Sequence, residues 1–279
     1  MTSPDTLALF VREDVLDTVR ERQFHLLVGI YVVLGLLVTY AAGRSASATG
    51  SDVELVPPLL ALFTMLTPLL ALGFFATAIV EKRTSGALKI VLGLPIPRET
   101  VVLGTFVGRS LVVCTAVVVS LLAAVPVALL QGVTADPVRL AGVAALLALL
   151  GVTFTALAVA VSAVVRTTTR ATVAAFGLFV VFFFRLWDRL PYTALYVRHG
   201  FSYPETTPEW VAFVTALNPV AAYTYLLTGL FPDLDSGTFV TPPADPAFYE
   251  APAFALVVLV GWIVVATAIG TLRFRATDV

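Results

Sequence analysis

Apolar runs too long for the core of a small globular domain dominate this sequence. They run from about Phe24 to Gly43, Val56 to Val80, Val101 to Leu130, Val138 to Val165, from the basic turn Arg166 to Arg170 on to Trp187, and Pro252 to Leu272. A helix needs about 20 such residues to cross a bilayer, and about 18 nearly uncharged ones already mark a candidate. Lipid offers the backbone no partners, so each run predicts a helix that satisfies its own hydrogen bonds. The expected fold is all-α: a polytopic membrane protein with six transmembrane helices, in one domain over residues 1–279. Charge supports this, since charged residues make up 13% of the chain against about 25% in soluble domains.

Proline and capping residues punctuate the runs. Pro68 lies inside the second, where a packed bundle tolerates a kink. Thr207-Pro208 and Asn218-Pro219 each read as a cap followed by proline at the first helical position. Both pairs fall in a less apolar stretch, residues 188–251, expected to be extracytoplasmic. Trp187, Tyr192, Tyr196, Trp210, Tyr223 and Tyr225 suit the headgroup zone as an aromatic belt, or a lip that guides a substrate.

At the other end of the chain, Ser3, Pro4 and Asp5 start a helix within residues 1–23. Leu7, Phe10, Val11, Val15 and Val19 share one face, while Arg12, Glu13, Asp17, Arg20 and Glu21 fall largely elsewhere. This pattern predicts an amphipathic helix lying in the membrane interface, with lipid as its partner. A short solvated helix before the first span is the plainer reading.

Between the second and third runs stands a polar segment, "EKRTSGALKIVLGLPIPR", residues 81–98. Glu81, Lys82 and Arg83 end the apolar run abruptly, and Thr84, Ser85 and Gly86 interrupt the chain. Ala87 to Leu94 then reads as a short amphipathic turn of helix that Pro95 and Pro97 stop. So short a segment does not fold alone, and it predicts a surface lever between two membrane helices. Gly86 permits a backbone geometry or a close approach that a side chain would block. Glu81 and Arg98 bracket the element as its expected charged contacts, to a partner or to each other.

The next residues, "GTFVGRS", superficially resemble a phosphate-binding loop. Only three residues separate the glycines, Arg replaces Lys, and no strand precedes them. Gly104 and Gly108 read better as a small-residue packing face. Arg109, inside the same run, is expected to snorkel to headgroups or to pair with an acid of the hairpin or N-terminal helix.

Basic residues set the expected orientation. A cytoplasmic N-terminus places Arg12, Arg20, Arg22, Lys82, Arg83, Lys89, Arg98, Arg109, Arg166, Arg170, Arg273 and Arg275 inside. Only Arg44, Arg139, Arg185, Arg189 and Arg198 then lie outside. Both termini are expected in the cytoplasm of a multi-pass protein of the cell membrane.

Catalytic chemistry has little to work with. His25 and His199 are the two histidines, in no metal-ligating spacing, and no acid lies deep in a run to relay protons. The lone Cys114 forms no intrachain disulfide, and a net charge of −1 gives no argument for nucleic acid. No catalytic residue, cofactor, metal site or nucleic-acid partner is expected. The rival readings are a membrane-embedded enzyme and a non-transporting membrane scaffold.

Taken together, these features resemble the permease subunit of type-2 ABC exporters (the ABC-2 family). Glu81, Gly86, Leu88, Leu92, Pro95, Arg98, Gly104 and Gly108 stand where that family has its acid, glycine, leucines, P-x-x-R and G-K-f-x-G residues. Arg12-Glu13 resembles the basic–acid pair of its interface helix, and "LNPVAAY" its recurring Asn-Pro after the fifth span. Thr105 departs from the usual lysine, and Arg83 stands where an acid is common, which implies altered electrostatics at the ATPase contact. The subgroup resembled is that of the multicopper-enzyme (nitrous oxide reductase) maturation permeases.

The resemblance implies that 81–98 is a coupling hairpin docking in a groove of a separate ABC ATPase subunit. ATP-driven closure would then push it and reorient spans two and three. Two permeases, as a homodimer or heterodimer, would line the path of an unidentified exported substrate. Copper itself is disfavoured as a ligand, because His is rare, Cys114 stands alone and Met65 is the one internal methionine.

Overall fold

The computed structural model describes residues 11–12, 22–50, 52–86, 97–204, 206–243 and 245–276. Among these the chain is helical, with no strand beyond an isolated bridge between Glu54 and Thr134. The helices are α1 (Arg22–Thr49), α2 (Val56–Phe75), α3 (Ala78–Thr84), α4 (Arg98–Leu130), α5 (Pro137–Val164), α6 (Thr168–Phe183), α7 (Leu186–Arg198), α8 (Glu209–Ala216), α9 (Pro219–Leu230) and α10 (Pro252–Arg275). Five stretches are long and apolar enough to cross a membrane: α1, α2 with α3, α4, α5 and α10. Two further pairs qualify only as bent units, α6–α7 through 71° and α8–α9 through 88°. The described residues therefore hold five to seven candidate spans, a range that includes the six expected.

Helix α5 is the most enclosed, with α2, α4 and α10 around it. Small residues let them close in: a Cβ on Gly270 would sit 3.1 Å from the Ala160 Cα, and one on Gly151 3.0 Å from Val113. Backbones that approach this closely gain the dispersion contacts on which helix association in lipid depends. Helix α1 is stitched on by polar groups, with Tyr31 donating to Thr67 Oγ1 at 2.9 Å and Ser120 donating to the Tyr31 carbonyl at 2.7 Å. It also extends past Gly43 to Thr49, where Ser47 and Thr49 hydroxyls bond carbonyls four residues back.

The fifth span does not run straight to Trp187. Helix α6 stops at Phe183, and Arg185 adopts left-handed angles, φ 59° and ψ 28°, which cost an L-residue about 1–2 kcal/mol. Polar bonds hold the bend. Arg185 donates to Asp188 at 2.5 Å and to the Phe239 carbonyl at 2.7 Å. Asn218 donates to the Phe182 carbonyl at 3.0 Å and to Asp188 at 3.4 Å.

Residues 188–251 are largely helical, and α9 is sunk into the bundle. Asn218 caps it as expected, accepting from the Val220 N–H at 2.9 Å with Pro219 at the first position. Thr207 does not cap α8; Pro208 is itself extended, and the helix begins one residue later. Tyr223 leaves the expected aromatic belt, being fully buried with its hydroxyl 3.4 Å from Thr64 Oγ1. Trp210 and Tyr192 do face outward.

At the end of the bundle away from residue 81, Arg139 gathers three acids. It bonds Glu54 at 2.9 Å, lies 4.0 Å from Asp136, and pairs with Asp233. Beside it, the Leu55 and Thr134 N–H groups bond across the bridge at 2.9 and 3.0 Å. The Arg139 hydrogen bond holds the Asp233 carboxyl below its usual range. A depressed carboxyl stabilises the fold above its unfolded pKa, and that contribution is lost as pH falls through the lowered value. The detergent-solubilised chain should therefore lose thermal stability on acidification below about pH 4. Arg139→Gln should flatten that acid limb, and high salt should blunt it in the native chain. Identical acid limbs in the variant and native chains would remove the clasp from the account.

Candidate coupling site

The segment around residue 81 is rooted in a small apolar cluster of its own. Ile79, Val101, Val102, Val159, Ala163 and Phe274, from α3, α4, α5 and α10, pack together apart from the main core. Electrostatics reinforce this cluster. Glu99 at the start of α4 pairs with Arg275 at the end of α10, and Arg98 donates to the Arg275 carbonyl at 3.4 Å. Glu99 and Arg275 suit their places, an acid in a first turn and a base in a last turn.

From this base the chain leaves along α3. Glu81 is exposed and makes no ion pair among the described residues; an expected Glu81–Arg98 pair is not formed. Gly86 has φ +79°, and a Cβ there would meet nothing within 4 Å. Among the described residues its value is the backbone geometry that a positive φ supplies. Pro97, extended at ψ 139°, ends the segment and caps α4. Leu88, Leu92 and Pro95 lie outside the described residues, as do Phe10, Glu13 and Val15; Arg12 is exposed.

Arg83 is the surprise of the site. Its guanidinium donates to the Val165 carbonyl at 2.9 Å and the Ala163 carbonyl at 3.3 Å, and lies 5.7 Å from the Phe274 ring centroid. Its charge is thus turned into the protein, onto the C-terminal end of α5. Opposite it, Ser162 Oγ accepts from the Ile79 and Val80 N–H groups at 2.9 and 3.1 Å. Sequence reading missed Ser162, one hydroxyl among the many in these helices.

Further along α4, Gly104 and Gly108 are buried four residues apart on one face. Arg109 is also buried, its guanidinium 5.8 Å from the Phe75 ring centroid. Its burial beside an aromatic ring departs from the snorkel, one of its two expected placements.

The model of the ABC-2 family transporter proteins matches residues 9–279. The chain belongs to the ABC-2 family. It is also similar to a protein of Stutzerimonas stutzeri described as "Probable ABC transporter permease protein NosY", 28% identical over 271 residues, covering 95% of this chain and 96% of the relative. The protein of the same description from Pseudomonas aeruginosa PAO1 is 29% identical over 246 residues, covering 84% and 86%. An ABC-2 permease is a component of a membrane transporter, not an enzyme, and works with an ATPase subunit. Within such a permease, the arrangement at residue 81 offers an exposed acid, a glycine-dependent turn and a firmly rooted base.

Proposed function

We propose that this chain is the transmembrane subunit of an ATP-driven exporter, taking force from a separate ATPase through residues 81–98. The observation that carries the reading is the rooting of this polar segment in its own cluster within an ABC-2 chain. The cluster ties the segment to four helices, so a displacement there is passed on. Six spans, an interface helix over residues 1–23 and two permeases around the path complete the assembly. Its likeness to the multicopper-enzyme maturation permeases makes the assembly of such an enzyme the first setting in which to seek the cargo. Purification from native membranes tests the reading: an ABC ATPase should co-purify, with turnover that depends on the permease. A permease that retains no ATPase would overturn it.

The same reading puts residue 85 in the cytoplasm and residue 235 outside. Both positions are exposed, so single cysteines there, in a Cys114→Ala background, are open to reagent. A membrane-impermeant maleimide on intact cells should label position 235 and leave position 85 unlabelled. The reverse pattern would invert the topology.

A further inference from the structure

The joint between α2 and α3 is made by a residue from another helix. In an unbroken helix the N–H groups of Ile79 and Val80 would bond the carbonyls of Phe75 and Ala76. Both donate to Ser162 Oγ instead. Ala76 and Thr77 keep helix-like angles, ψ −16° and −7°. The break is therefore a pair of missing rungs with a side chain inserted in the ladder, a recognised cause of helix bending. One turn on, Arg83 satisfies the Ala163 and Val165 carbonyls, at the end of α5, where a helix leaves its carbonyls without internal partners. The two helices cap each other.

A push on residues 81–98 thus meets unequal resistance. Toward α2 the ladder is interrupted at Ile79 and Val80. Toward α5 stand two backbone and two guanidinium hydrogen bonds, with Ile79, Ala163 and Phe274 in contact beneath them. Segment α3 is therefore tied to α5 by four hydrogen bonds at the place where its ladder to α2 lacks two rungs, before the Glu81 N–H bonds the Thr77 carbonyl at 2.8 Å.

We propose that Ser162 is the fulcrum on which α3 swings against α2, and that Ser162 with Arg83 delivers the displacement to α5. Through Phe274 and the Glu99–Arg275 pair, α10 follows. The span at the centre of the bundle then responds to the ATPase, beyond the second and third spans that flank the segment in sequence. The inference rests on the coupling role proposed above and assigns both residues as positioning residues for it.

The test reads coupling at constant assembly, which a purely structural role would not change. The full-length permease, with the ATPase that co-purifies with it, is reconstituted in nanodiscs. Ser162→Ala should lower permease-dependent ATP turnover about fivefold or more, with the amount of ATPase retained unchanged. Ser162→Thr, which keeps the hydroxyl, should restore turnover. Arg83→Met, which keeps an apolar stem near Phe274, should act like Ser162→Ala and add little to it, and it keeps the test decisive should Ser162→Ala fail to fold. Native turnover in Ser162→Ala or Arg83→Met, or turnover lost only in proportion to ATPase retention, would overturn the inference. A native permease that holds no ATPase at all would instead fail the exporter reading, and this inference would fall with it.

Discussion

Gly86→Trp should reduce ATP-dependent export in reconstituted vesicles about tenfold or more, the scale of a coupling free energy of roughly 1–3 kcal/mol. The cause is backbone strain. Gly86 holds φ +79°, a region that costs other residues about 1–2 kcal/mol. No described residue lies within 4 Å of a Cβ built there, so the new side chain displaces none of the described bundle, and the detergent-stable fold should persist. Glu81→Arg should act in the same direction by reversing an exposed charge at the root of the segment. Adding Arg98→Glu should not rescue it, because Arg98 bonds the Arg275 carbonyl and not Glu81. Native transport in both single variants would remove 81–98 from the coupling path.

The largest loss of stability is expected far from that segment, at Asn218. This side chain is fully buried and serves the cap of α9, the Phe182 carbonyl and Asp188 together. Asn218→Leu removes a helix cap and leaves buried polar groups unpaired, a cost of about 2–4 kcal/mol. Thermal unfolding in detergent should show a markedly lower midpoint. Asn218→Asp keeps the cap but sets a second carboxylate beside Asp188 and loses the amide donor to the Phe182 carbonyl, so it should recover only part of the lost midpoint. An Asn218→Leu midpoint equal to the native one would show that the bend is held by other contacts.

Much of this architecture can be read directly from residue types. Long apolar runs become α1, α2, α4, α5 and α10, because lipid leaves a backbone few alternatives. Asn218-Pro219 marks a helix start correctly, since cap and proline act locally. What escapes is non-local. Arg185 turns left-handed only because Asp188 and the Phe239 carbonyl are there to receive its guanidinium. Helices α8 and α9 span only 8 and 12 residues, too short for a hydropathy window to register either one alone. At the candidate coupling site, the exposed acid Glu81 and the positive-φ Gly86 stand out by residue type. Ser162 does not, and Arg83 reads as a surface charge until α5 is seen to end beside it.

Two separate apolar clusters in one chain imply two opening equilibria. The set formed by Ile79, Val101, Val102, Val159, Ala163 and Phe274 shares no buried member with the main core, and the partly buried Phe106 packs against both, so the two sets meet through one ring at their border. Units of this kind open and reclose on their own free-energy scale, below that of global unfolding. On the coupling role proposed above, the end of the molecule that takes up the push is the one whose packing opens at a lower cost than the bundle's.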